Sequence, residues 1–121
     1  MQGLHLTADL YDCRCEDRWL VDAEQLGAWC TEAVHAAGLP VEQELFAAGR
    51  NGRSATVVLL LGGSHVCLHA WRSQRSASVD VYLSQGTGDL SGKARGLMHA
   101  LVQRFEPDWT EQRSLDRGDG E

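Results

Sequence analysis

The sequence predicts an α+β fold: a two-layer sandwich, with a largely antiparallel sheet carrying two helices on one face. Three observations predict it. Leu4–Tyr11 and His65–Trp71 alternate apolar and polar residues, the period of a half-buried strand. Two other segments place apolar residues at helical spacing. The elements run strand, helix, strands, then strands, helix, strand.

In order along the chain, Leu4, Leu6, Ala8 and Leu10 mark one side of the first strand. Asp22, with Gln25 three residues on, gives a capping-box-like start to the first helix. Leu26, Trp29, Cys30, Ala33, Val34 and Ala37 form its stripe, and Gly38 and Pro40 stop it. Val41–Ala47 reads as a strand, and Gly49-Arg50-Asn51-Gly52 as a turn of residues that accept positive φ. Ala55–Leu61 is a third strand whose unbroken apolar run predicts burial on both faces. After Gly62-Gly63-Ser64, His65, Cys67, His69 and Trp71 fall on one face of the fourth strand. A fifth strand covers Ala77–Leu83, and Asp89 or Ser91 can cap a second helix with Ala94, Leu97, Met98, Leu101, Val102 and Phe105 as its stripe. That helix ends before Pro107, and Trp109–Leu115 forms a last, exposed strand. Thr7–Tyr11 faintly echoes Ser78–Tyr82, as a duplicated half-unit would. The uncovered sheet face calls for a second subunit or a ligand.

With 121 residues and 43% hydrophobic content, the chain fits one domain, residues 1–121, with a polar tail that frays from about residue 113. A net charge of -6 supplies no basic patch for nucleic acid or anionic membranes. No apolar run approaches the roughly 20 residues of a membrane span, and Met1–His5 lacks a signal-peptide layout, so the expected location is the cytoplasm. Cys13, Cys15, Cys30 and Cys67 show no Cys-x-x-Cys pair and read as reduced thiols.

The densest cluster of reactive groups is Gly62–His69, and it has three readings. His65, Cys67 and His69 on one strand face offer nitrogen and sulfur to a metal, but no fourth partner is marked, so no metal is expected. Ser64, His69 and Asp80 suggest a hydrolase, yet Val66 stands where a nucleophile elbow needs glycine. In the third reading the glycines make a tight turn, Ser64 satisfies it, and the histidines pack on the sheet.

The stretch Val57–Ser84 resembles the core of prokaryotic S-adenosylmethionine decarboxylases: a buried strand, Ser64-His65-Val66-Cys67-Leu68-His69-Ala70-Trp71, then Asp80-Val81-Tyr82. His5–Cys13 looks like the family's opening strand and Ser91–Arg117 like its last helix and strand. The resemblance implies that Ser64 attacks the carbonyl of Gly63, turning the peptide bond into an ester. Elimination and hydrolysis then leave a pyruvoyl cofactor derived from Ser64. It implies proton transfer by a nearby His69, help in processing from Thr56, a substrate of amino-acid type, a homodimer, and a place in polyamine synthesis. Tyr11 and Trp71 are the candidate substrate-binding side chains.

Three positions depart from the family. Gly63 replaces a glutamate and leaves its carbonyl open to attack in a strained turn. Ser84 replaces the cysteine proton donor with a far weaker acid. Arg72-Ser73 replaces Pro-Glu and removes a carboxylate suited to ribose hydroxyls. These changes set two alternatives beside S-adenosylmethionine decarboxylation: a pyruvoyl-dependent ornithine or arginine decarboxylase, and an unprocessed, non-catalytic relative that binds a partner.

Overall fold

The structure, a computed structural model, describes residues 3–84 and 89–118. The alternation in the first strand extends over Gly3–Cys13 (β1), with Leu4, Leu6, Ala8 and Leu10 buried. A four-residue helix, Arg18–Val21 (α1), follows and buries Trp19 and Leu20. It is too short for a periodicity to announce it. The guanidinium groups of Arg18 and Arg104 lie 4.7 and 4.1 Å from the Trp19 ring centroid, a cation–π arrangement that fastens α1.

Helix α2 (Ala23–Ala36) starts where the sequence placed it. The Asp22 carboxylate accepts from the Gln25 backbone N–H at 3.1 Å, and the Gln25 amide returns a 2.8 Å bond to the same carboxylate. Gly38, at φ +81°, follows its last turn. The strands β2 (Gln43–Ala48) and β3 (Ser54–Leu60) flank a turn with Asn51 and Gly52 at positive φ. Strands β4 (His65–Trp71) and β5 (Ser76–Ser84) follow.

Helix α3 (Ser91–Phe105) buries all six residues of its expected stripe, each contributing roughly 1.5–3 kcal/mol if large and fully apolar. Asp89 accepts a 2.9 Å bond from the Ser91 N–H, while Leu90 occupies the cap position itself. Glu106 turns left-handed at φ +48°, and Pro107 opens β6 (Pro107–Arg117).

The six strands form one antiparallel sheet in the order β2-β3-β4-β5-β1-β6. Helix α2 packs on β2 and β3, and α3 packs on β1 and β5. Two expectations are corrected. Residues 113–117 do not fray: they pair with β1 from Thr7↔Arg113 to Gly3↔Arg117, because backbone pairing to a central strand outweighs their polarity. Residues 119–121 lie outside the described residues. The run in β3 is not buried on both faces. Ala55, Val57 and Leu59 are buried toward the helices, whereas Leu60 is 41% exposed and Val58 half-buried on the other side.

That open face carries every exposed large hydrophobic among the described residues: Leu45, Leu60, Trp71, Trp109 and Leu115. Their strand parity and pairing put them on the same side as His5, His65, His69 and Asp80.

Candidate active site

The Gly62-Gly63-Ser64 turn joins β3 to β4, closed by a 2.9 Å bond from the Leu61 N–H to the Ser64 carbonyl. Gly62 rather than Gly63 takes the positive φ, +80°, a left-handed region glycine enters without cost, so the turn forms without the strain expected at Gly63. Gly63 is exposed, and a side chain there would meet only the Ser84 Cβ at 3.8 Å. Ser64 is half-buried, and its hydroxyl oxygen accepts a 2.8 Å bond from the Ser84 backbone N–H. The two serines singled out by the sequence, 20 residues apart, thus meet at the end of the sheet.

His69 is elsewhere. Four residues separate it from His65, roughly 13 Å of strand, and Ser64 lies one residue further. Within one chain the structure therefore does not bring His69 to Ser64. Cross-strand register pairs Thr56 with His69, and their side chains meet at 3.1 Å between Thr56 Oγ1 and His69 Nδ1. His69 Nε2 faces Cys67 Sγ at 3.7 Å, and its ring stacks on Trp71 at 5.9 Å. Burial, with a smaller contribution from the Asp80 charge, pushes the Cys67 thiol up, so it is protonated near neutrality. Tyr11 stacks on Trp109 at 4.1 Å and donates to Glu111 at 3.1 Å. That hydrogen bond is the main reason its hydroxyl titrates above the ordinary value. Tyr11 and Trp71 share the His69 end of the open face.

Asp80 does not join Ser64 and His69 as the hydrolase reading required. It hydrogen-bonds His5 on the neighbouring strand, and His65 Nε2 lies 3.8 Å from the same carboxylate oxygen. Nor do His65, Cys67 and His69 make the group most able to converge on an ion. Among the described residues that group is His5, His65 and Asp80. Reading β4 alone missed it, since its members come from three strands. His5, Gly63, His65, Tyr82, Arg117 and Gly118 line a cleft of about 320 Å³ beside the Ser64 turn.

The group that the resemblance derives from Ser64 fits these residues. The turn is closed by a backbone bond, Gly63 presents no side chain, and the serine oxygen already has an N–H donor.

Comparison with known proteins gives one answer. The family profile described as S-adenosylmethionine decarboxylase matches residues 4–118. A protein of Hydrogenobaculum sp. (strain Y04AAS1), named S-adenosylmethionine decarboxylase proenzyme, is 32% identical over 116 residues, spanning 96% of this chain and 81% of its own. The protein of that name from Aquifex aeolicus is 32% identical over 119 residues, spanning 96% of this chain and 81% of its own. The crystal structure of the adenosylmethionine decarboxylase from Aquifex aeolicus superposes with a TM-score of 0.85 at 28% identity, covering 98% of this chain and 92% of that one. The chain belongs to the S-adenosylmethionine decarboxylase family.

Proposed function

We propose that this chain is a self-processing decarboxylase acting on S-adenosylmethionine in polyamine biosynthesis, cut between Gly63 and Ser64. The observation that carries the proposal is Ser64 itself. It is the serine of the family's motif, held at a positive-φ turn with its hydroxyl oxygen on the Ser84 N–H.

Processing begins with attack of Ser64 Oγ on the Gly63 carbonyl carbon, which breaks the peptide C–N bond and leaves an ester. Elimination releases Gly63 as a carboxylate, and hydrolysis releases the Ser64 nitrogen as ammonia. The pyruvoyl group so formed supplies an electron sink for loss of carbon dioxide. Gly62 sets the turn that exposes the scissile carbonyl, and the Ser84 N–H fixes the serine oxygen. Cys67, whose thiol burial keeps protonated at neutral pH, is the acid the sequence offers in place of the family's cysteine; it sits beside His69 at 3.7 Å and so, like His69, would act on the Ser64 of a second copy.

The His69 and Thr56 pair acts on Ser64 from a second copy. Two features support a homodimer built through the open face. The distance along β4 is too long for one chain, and all the large exposed apolar side chains among the described residues lie on that face. A two-fold, antiparallel pairing of two open faces would set the His69, Trp71 and Tyr11 end of one against the Ser64 end of the other.

A second reading, decarboxylation of ornithine or arginine, draws on Arg72. Where the family has Pro-Glu, Arg72 Nε pairs with Asp17 at 3.1 Å, which commits the position to an ion pair and offers no carboxylate for ribose.

The intact mass of the purified chain, beside Ser64→Ala, tests the proposal. Two fragments meeting at Gly63/Ser64 in the parent and one chain in the variant support it, and turnover of each substrate then decides between the readings. An uncut parent chain of 13.3 kDa overturns both in favour of a non-catalytic relative.

A further inference from the structure

We infer that His5, His65 and Asp80 form a binding site for a divalent transition-metal ion of the zinc class. The three side chains come from β1, β4 and β5, neighbours in the sheet. His5 and His65 both pair across to Tyr82, one from each side, so the two imidazoles flank β5. Asp80 is two residues from Tyr82 on the same face and lies between them. Antiparallel pairing therefore fixes all three Cα positions before any ligand arrives.

The donor set suits such an ion. Two imidazole nitrogens and one carboxylate oxygen favour zinc-like cations over magnesium or calcium, which prefer oxygen alone. One donor atom from each residue lies within 4.8 Å of the others, and His65 Nε2 is 3.8 Å from Asp80 Oδ1. Tetrahedral zinc with bonds of roughly 2.0–2.2 Å needs donors about 3.4 Å apart, so closure requires shifts of about 1 Å. All three residues are only partly buried, which leaves their side chains free to make that adjustment. A bond between Asp80 and His5 accounts for two of these residues, but not for His65 approaching the same oxygen.

Three protein donors leave a position for water or an anion, as in zinc sites that exchange a ligand. His5 and His65 also line the cleft beside Gly63, and Arg117 on its wall favours an anionic occupant such as a carboxylate. The three ligands belong to one protomer, so the site does not need a second copy; cleavage at Gly63/Ser64 would leave His5 on one fragment and His65 and Asp80 on the other, held together by the pairing of β1 and β4 with β5.

The test is calorimetric titration of the chelator-treated protein with Zn²⁺, and visible absorption with Co²⁺ as the probe. The parent and Cys67→Ser should bind about one ion per protomer. His5→Ala and Asp80→Asn should each weaken binding more than about tenfold, with far-ultraviolet circular dichroism unchanged. His69→Ala should bind as the parent does. Absence of saturable binding by the folded parent overturns the site. So does binding that survives both His5→Ala and Asp80→Asn, or that is lost in Cys67→Ser or His69→Ala.

Discussion

The Ser64 hydroxyl oxygen and the Ser84 backbone N–H are joined by a 2.8 Å hydrogen bond that ties the start of β4 to the end of β5. The Ser84 side chain takes no part in that bond, so it can be changed without releasing Ser64. Ser84→Cys should leave cleavage intact and, by supplying a thiol where the family has one, raise turnover on S-adenosylmethionine roughly tenfold or more. Mass spectrometry and carbon dioxide release check the two halves of this expectation. Equal turnover in both proteins would mean that another group delivers the proton.

His69 and Thr56 are bonded to each other and remote from Ser64 of their own chain. His69→Ala should abolish cleavage in a pure preparation. Co-expressed with Ser64→Ala, the His69→Ala chain should regain cleavage, because its intact serine then faces an intact histidine. If the mixture stays uncut, the histidine does not act across a dimer.

Leu45 and Leu115 are 61% and 56% exposed on the face proposed to meet a second copy. Leu45→Glu or Leu115→Glu should shift the protein from dimer to monomer in sedimentation velocity, with the fold retained. A change at exposed Glu24 on helix α2 should leave the assembly as it was.

Gly27 gives α2 its close approach to β2. A Cβ there would fall 2.3 Å from a Phe46 ring carbon. Gly27→Ala should destabilise the protein by roughly 1–3 kcal/mol in urea unfolding, the overpacking cost outweighing the better helix propensity of alanine. Phe46→Leu in the same chain should recover part of that loss.

Burial pushes the Cys30 thiol up to about 12 from an ordinary 9.0. Between these values the unfolded chain has lost a proton that the folded chain keeps. Stability is therefore complete below pH 9 and falls as pH rises above it, by at most about 1.4 kcal/mol per unit from this thiol. Urea unfolding at pH 8 and pH 10 should show the fall, and Cys30→Ala should lessen it without removing it, because burial also raises the thiols of Cys13, Cys15 and Cys67.

Much of the fold was legible because it rests on local periodicity. The stripe from Ala94 to Phe105, the Asp22 cap with Gln25, and the alternation of β1 and β4 each follow from side-chain direction within a single element. Four-residue α1 has too few positions to show a period. The run Ala55–Leu61 misled because apolar residues on a strand face read the same whether a helix, a second subunit or water covers them. The polar segment 113–117 misled because pairing uses backbone groups, which composition does not report.

The candidate site divides along the same line. The sequence by itself determined the family motif, with Ser64 after two glycines, His69 five residues on, and the replacements at Gly63, Arg72-Ser73 and Ser84. Only the tertiary structure decided that Ser64 meets Ser84, that His69 meets Thr56 at the other end of the strand, and that His5 and His65 converge on Asp80. Spacing along one strand fixes a face and a distance, whereas neighbours across strands are set by register, and register arises from pairing between segments far apart in the chain.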